Sequence, residues 1–223
     1  MNFTRFAASG GSDRRALGRS VRAYVKKATG GSTNAARRMG ASRRAAANIV
    51  DVFARLERDG VQDTFKALNI DLAFLGTAED ALLALTDIIC SDGGPIDEAI
   101  ARDAWCETVA QVELFGITDI GSMTDSQRRE VFASFVAKTI ELRILNDIGA
   151  KGFKISGSPN EIRNIHRELY SYIETATKDQ IMATFPNSLA NVTQAQMLSV
   201  GDGVYDVAWS ILETYRRPPN AAS

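Results

Sequence analysis

Apolar residues recur every three to four positions along most of this chain, and this spacing constrains the fold more than any other feature. In residues 14–28, for example, Leu17, Val21, Tyr24 and Val25 fall on one face of a helix with about 3.6 residues per turn. The apolar–polar alternation that is typical of strands reaches no useful length. The sequence therefore predicts an all-α protein, an irregular bundle of six to eight helices with a basic N-terminal helical arm.

Capping residues mark where several of these helices begin. Ser158, Pro159 and Glu161 combine a serine cap, a proline in the first turn and a glutamate three residues after the cap. Thr77 and Asp80 form a weaker signal of the same kind. Both pairs predict helix starts that depend only on local sequence.

Two interruptions are expected within this helical pattern. Residues 40–42 (GAS) indicate a break, and residues 149–158 (GAKGFKISGS) are the one stretch where a short β-hairpin or ordered loop is expected. The expected helices cover residues 14–28, 33–58, 77–91, 96–115, 124–149, 158–185 and 193–215.

The charges are distributed very unevenly between the two ends of the chain. Residues 1–48 hold eleven Lys and Arg and a single acid, Asp13, whereas the rest holds 15 bases and 26 acids. Composition and charge together predict four parts. These are a flexible N-terminal segment, a basic helical arm, an all-α body and a frayed tail, at residues 1–13, 14–48, 49–215 and 216–223.

A basic arm can bind nucleic acid, an anionic surface, or an acidic face of its own body or of a partner. Nucleic acid is the obvious hypothesis, because Lys and Arg bind phosphates independently of sequence. Against it, Phe3, Phe6 and Tyr24 are the only aromatic residues that the first 48 residues offer for base stacking. Docking on protein is the preferred interpretation.

The sequence lacks the residue patterns of a catalytic centre. Its one histidine, His166, lies in a helical stretch and is interpreted as an exposed or half-exposed helical residue. The sequence has no phosphate-binding glycine motif and no nucleophile elbow. We therefore expect no enzyme activity, no catalytic residue, no metal site and no cofactor, and an enzyme of unknown type is the least favoured alternative.

The two cysteines, Cys90 and Cys106, form no metal motif and lie in apolar helical patterns. Both are expected to be buried free thiols, which fits a reducing cytosol. No signal peptide is evident and no apolar stretch approaches the roughly 20 residues needed to span a bilayer. A cytoplasmic protein without membrane association is the expectation.

Acidic residues concentrate near one tryptophan. Asp97, Glu98, Asp103 and Glu107 lie on one predicted helix, either as a solvated face or as a partner contact. Arg102 adjoins Asp103 in sequence, and this pair is a candidate ion pair near Trp105.

Residues from about 19 to 209 resemble the B component of the Qat anti-phage defence system, the QatB family. The resemblance is carried by residues 29–32 (TGGS), 35–40 (AARRMG), 85–90 (LTDIIC), 94–104 (GPIDEAIARDA) and 146–152 (NDIGAKG). None of these is a catalytic signature, but their order and spacing cover most of the chain. The resemblance implies a bacterial cytosolic protein encoded with an ATPase, a QueC-like enzyme and a TatD-like nuclease.

Within such a set, the resemblance implies a non-enzymatic accessory subunit that is the partner or protein substrate of the QueC-like enzyme, QatC. The ATPase and the nuclease are further possible partners. QueC-like chemistry uses ATP to join a carboxylate to an amine, and an N-terminal glycine amine is a candidate acceptor. Family members open with Met-Gly and a longer Gly/Pro/Ser-rich tail, whereas residue 2 here is Asn2. The acceptor is therefore not assigned to Gly10 or Gly11, which are interpreted as linker glycines.

The partner-contact residues expected from this reasoning come from the arm and from one helix of the body. They are Arg37, Arg38, Arg43, Arg44, Arg102, Asp103 and Trp105. The second hypothesis is a nucleic-acid-binding module that senses phage DNA or tRNA through the basic arm.

Overall fold

A computed structural model describes residues 2–90, 96–150, 158–187, 189 and 191–216, apart from the side chains of Asn2 and Phe74. This part of the chain forms ten α-helices and no strand, which confirms the all-α class. The helices are α1 (Asn2–Ala8), α2 (Arg14–Ala23), α3 (Ser32–Arg37), α4 (Gly40–Ala67), α5 (Ala78–Ala84), α6 (Thr86–Ile89), α7 (Ile96–Val109), α8 (Asp125–Ala150), α9 (Pro159–Thr184) and α10 (Gln194–Thr214).

Ten helices exceed the six to eight expected because α1, α3 and α6 are too short to show a repeated apolar stripe. In the stretch expected to form a hairpin or ordered loop, Gly149 and Ala150 end α8 and Ser158 caps α9. Residues 151–157, on which most of that expectation falls, lie outside the described residues.

The predicted capping signals form as the sequence indicates. Thr77 Oγ1 accepts a hydrogen bond from the Asp80 amide at 3.0 Å, and the Asp80 carboxylate accepts one from the Thr77 amide at 3.1 Å. At α9, the Ser158 amide donates to Glu161 at 2.7 Å. This bond holds the pKa of Glu161 below its usual range, because it favours the ionised carboxylate. A third capping box at α10, from Thr193 and Gln196, was not predicted.

The interruption predicted at residues 40–42 lies slightly earlier, at Arg38 and Met39 between α3 and α4. Within α4, Gly60 interrupts the helical backbone, with a φ of +76° that an L side chain rarely adopts. The helix predicted for residues 14–28 is α2 followed by one π-helical turn, Tyr24–Ala28.

The N-terminal third of the chain is packed into the bundle. Phe6, Leu17, Val25 and Met39 are all 0% exposed and belong to the same apolar core as the body residues. The expected flexible segment, residues 1–13, instead contains α1 and a turn whose glycine Gly11 lies against α9. The boundary expected at residue 48 falls inside α4, so the basic segment is continuous with the core.

Two central helices organise the rest of the bundle. α8 packs against α7 and α9, while α10 packs against α3, α4 and α9. Tyr205 of α10 and Thr139 of α8 share a buried hydrogen bond of 2.8 Å where these two helices meet. α4 packs against α10 and also against α6 and α7.

Candidate functional site

One continuous surface joins α4, α6 and α7 through side-chain contacts. Asn48 donates to the carbonyl oxygens of Ile88 and Ile89 at 3.3 and 3.0 Å, and Arg44, one turn earlier on α4, lies 3.7 Å from the Glu98 carboxylate. We call this surface the α4–α7 face. It comprises Arg44, Asn48, Asp87, Ile88, Glu98 and Arg102.

An ion pair also links α6 to α7 within this surface. Arg102 Nη2 donates to Asp87 Oδ1 at 2.5 Å, linking α7 to α6, and Arg102 lies one turn after Glu98. On the other flank of α4, Arg43 contacts Asp202 and Asp206 of α10 at 3.2 and 3.1 Å. The structure thus brings Arg44 and Arg102, which the sequence analysis had drawn from two distant segments, to one surface and directs Arg43 to α10.

One isoleucine gives the face an apolar component. Ile88, whose carbonyl oxygen accepts from Asn48, is 36% exposed. Apolar side chains accompanied by charged groups are typical of protein–protein interfaces.

Trp105 does not belong to this surface. Its side chain is 0% exposed, and its indole Nε1 donates to the Leu82 carbonyl oxygen at 3.3 Å while its ring packs edge-on against Phe135. The expectation of a direct partner contact by Trp105 is therefore wrong, because the residue fills the core.

Asp103 is exposed, as a contact residue should be, but it is not the partner of Arg102. Adjacent residues of a helix point about 100° apart, so Arg102 reaches towards Asp87 of α6 and Asp103 faces elsewhere. The ion pair expected between Arg102 and Asp103 is replaced by one between helices.

Arg38 pairs with a buried carboxylate of α8. Its Nη2 lies 2.8 Å from Asp147 Oδ2, which also accepts a hydrogen bond from the Tyr24 hydroxyl at 2.8 Å. Arg143 Nε lies 3.2 Å from Asp147 Oδ1 as an ion pair without hydrogen-bond geometry. Burial, reinforced by Asp147, raises the pKa of Tyr24, so the phenol stays a proton donor. Arg38 itself is 41% exposed, and Arg37, which is also exposed, forms no ion pair among the described residues.

The same charged cluster extends to α7. Asp97 accepts a hydrogen bond of 2.6 Å from the Ala41 amide near the start of α4, and it lies 3.5 Å from Arg143 Nη1. Three of the segments that carry the family resemblance therefore meet here, through Arg38, Asp97 and Asp147. The sequence analysis assigned Arg38 to partner contact and missed this cluster, which we call the Asp147 network, because its members are distant in sequence.

The groups with reactive potential are engaged in structural contacts. His166 is half-exposed, and its Nδ1 lies 3.4 Å from Glu141, a carboxylate only 2% exposed. A hydrogen bond from the imidazole to the Glu141 carboxylate raises the pKa of His166, because it favours the protonated imidazole. Lys138 lies 3.0 Å from Glu107 and 3.5 Å from Glu141, so this cluster pairs opposite charges between helices.

The cysteines differ from each other. Cys90 is buried as expected, and burial raises the pKa of its thiol to about 12. The expectation for Cys106 is wrong, because its side chain lies on the exposed side of α7. Across the part of the chain that the structure describes, no three His, Cys, Asp or Glu side chains are grouped so that they could hold a metal ion.

None of the helices in the described ranges combines the length and the hydropathy needed to cross a membrane. A family model described as the Qat anti-phage system associated protein QatB matches residues 30–212. No curated protein and no solved structure matches the chain. The matched range includes the whole α4–α7 face and every member of the Asp147 network except Tyr24.

Proposed function

The chain belongs to the QatB family, a component of the Qat anti-phage defence system, and we propose that it acts there as a non-enzymatic subunit that binds the QueC-like enzyme. The observation that carries this proposal is the α4–α7 face. Ion pairs between helices hold its charged groups, and Ile88 remains exposed beside them.

The composition of this face supports a protein partner. Buried apolar contacts supply most of the affinity at protein interfaces, and the surrounding charges fix orientation. Ile88 provides the first component, while Arg44 and Arg102 provide the second. Because both arginines already have carboxylate neighbours, a partner would meet a preorganised surface.

The absence of an enzymatic role is part of the proposal. In the described residues, the single histidine contacts a buried carboxylate and Cys90 is buried with a raised thiol pKa. Neither group is presented to a substrate as a general base or a nucleophile would be.

Co-expression of the chain with a tagged QueC-like enzyme tests this assignment. Arg44→Glu/Arg102→Glu reverses two charges of the α4–α7 face and is expected to weaken the complex at least about tenfold, which corresponds to roughly 1.4 kcal/mol. Affinity is measured by titration of the purified partners. An intact-mass measurement of the co-expressed chain, compared with the chain expressed alone, shows whether the enzyme also modifies it.

A matched control reverses two exposed charges elsewhere. Arg163 and Arg167 of α9 are exposed and, among the described residues, donate to Asn160 and Asn164 without forming an ion pair, so Arg163→Glu/Arg167→Glu is expected to bind like the wild type. If the two double variants bind equally well, the α4–α7 face is not the interface. If the wild-type chain forms no complex at micromolar concentration, the accessory role itself is wrong.

A further inference from the structure

The eleven bases of residues 1–48 fall into two sets in the structure. Five form ion pairs with carboxylates, namely Arg5, Arg14, Arg38, Arg43 and Arg44. The other six form no ion pair among the described residues, and they are Arg15, Arg19, Arg22, Lys26, Lys27 and Arg37. Five of these six bases lie on α2 and the π-helical turn that follows it, so the unneutralised charge of the segment is concentrated there.

Four of these cations lie in one row along α2 and its π-helical turn. Arg15, Arg19, Arg22 and Lys26 are separated by four, three and four residues, which places them on one helical face. At a rise of about 1.5 Å per residue, the row spans about 16 Å. We call these four residues the α2 ridge.

The side chains of the ridge point outward. Arg15, Arg19 and Lys26 are exposed, and Arg22 is half-buried with its Nη1 donating to the Tyr215 carbonyl oxygen at 2.7 Å. A carbonyl acceptor orients the Arg22 guanidinium without neutralising its charge. All four cations therefore contribute to one positive surface.

Two carboxylates close to α2 are paired with other bases. Asp13 caps α2 by accepting from the Ala16 amide at 2.8 Å and lies 2.9 Å from Arg5. Glu168 of α9 lies 2.8 Å from Arg14. These pairs neutralise Arg5 and Arg14, whereas the ridge has no ion pair with a carboxylate of the described residues.

The remaining faces of α2 restrict the kind of partner. Its apolar residues Leu17, Val21 and Val25 are at most 1% exposed, so this helix offers no apolar face for insertion into a lipid surface. The ridge itself carries no aromatic or aliphatic side chain that could act as the anchor of a protein interface. A row of cations alone is complementary to a regularly spaced polyanion.

We propose that the α2 ridge binds the phosphate backbone of nucleic acid without reading its sequence. This function goes beyond the binding of a protein partner, and it rests on residues of α2 and its π-helical turn that do not contribute to the α4–α7 face. The sequence alone placed this activity second, because it could not separate neutralised bases from those that face solvent.

The test measures fluorescence anisotropy with a labelled DNA duplex of about 20 base pairs and an RNA of the same length over a range of salt concentrations. For four phosphate contacts, the logarithm of the association constant is expected to fall with the logarithm of salt with a slope of about −3.6. Arg15→Gln/Arg19→Gln/Lys26→Gln removes three contacts and is expected to reduce this slope to about −0.9.

The matched control removes the same charge from α4. Arg55→Gln/Arg58→Gln/Lys66→Gln replaces three bases outside α2 and is expected to retain the wild-type slope and affinity. The proposal is overturned if the wild type does not bind either probe, or if both triple variants lose affinity equally. Stronger binding to vesicles of anionic lipid than to either nucleic acid would also overturn it. Retention of the QueC-like enzyme by the α2 triple variant distinguishes this test from that of the α4–α7 face.

Discussion

Asp147 connects three parts of the chain through a single carboxylate. Its oxygens contact the Tyr24 hydroxyl and Arg38, both from the basic segment, and Arg143 one turn earlier on α8. The carboxylate is only 9% exposed, so its charge depends on these neighbours for compensation.

Replacing this carboxylate should destabilise the fold more than removing any one of its contacts. Asp147→Ala leaves the buried Tyr24 hydroxyl without its acceptor and removes the carboxylate that pairs with Arg38 and Arg143, and we expect a loss of about 3 kcal/mol in the free energy of unfolding. Tyr24→Phe removes one hydrogen bond and should cost about 1 kcal/mol. Urea denaturation followed by circular dichroism measures both values. Equal losses for the two variants would mean that the arginines find other partners.

At the residue scale, the sequence could not distinguish the roles of neighbouring arginines. Arg37, Arg38, Arg43 and Arg44 look alike in the sequence, yet the first forms no ion pair among the described residues, the second pairs with Asp147, and the other two contact different helices. The acids that distinguish them lie more than 50 residues away along the chain. Only the folded arrangement can therefore assign their roles.

At the scale of elements, α4 and α10 approach closely because small residues lie between them. A Cβ atom on Gly201 would lie 2.4 Å from the Arg43 carbonyl oxygen and 3.1 Å from the Ala47 Cβ atom. Gly203, two residues later on α10, has open space where its Cβ atom would be. The sequence analysis did not recognise Gly201 as a packing residue.

These two glycines give opposite predictions for the same substitution. Gly201→Ala must displace backbone and should lower the free energy of unfolding by about 1 to 3 kcal/mol. Gly203→Ala adds helix propensity without a clash and should raise stability by up to about 1 kcal/mol. Thermal denaturation of both variants measures these changes in stability. A stabilised Gly201→Ala variant would mean that α4 and α10 are further apart than described.

Elements were largely predictable where their determinants are local. The capping boxes at Thr77 and Ser158 use residues three positions apart, and both form in the structure. The break between α3 and α4 was displaced by about two residues, because glycine and serine both occur within helices when tertiary packing holds them.

At the scale of the whole molecule, the basic segment is part of the core. The Tyr24 ring lies 5.9 Å from the ring of the fully buried Trp209, and Phe6, Leu17 and Val25 are fully buried. Contacts of α2 with α9 and α10 extend this packing. The division into an arm and a body at residue 48 would, by contrast, leave a body that folds alone.

Truncation tests whether the basic segment is part of the core or whether the body folds without it. Deleting residues 2–31 removes the cover of Trp209 and several core side chains, so we expect loss of cooperative thermal unfolding and a red-shifted tryptophan emission. The variant Arg15→Gln/Arg19→Gln/Lys26→Gln, which changes only surface charge in the same segment, should unfold like the wild type. Cooperative unfolding of the truncated chain near the wild-type temperature would support an independent body.

The sequence by itself determined the all-α class, most long helices and several of their starts, because helical periodicity and capping depend on residues within a few positions. It also determined the charge asymmetry and, through ordered motifs, the family. The tertiary structure decided which bases are neutralised, that Trp105 is buried, and that the α4–α7 face and the α2 ridge exist. Those properties depend on residues that are distant along the chain, and only packing brings such residues within the few ångströms over which ion pairs and burial act.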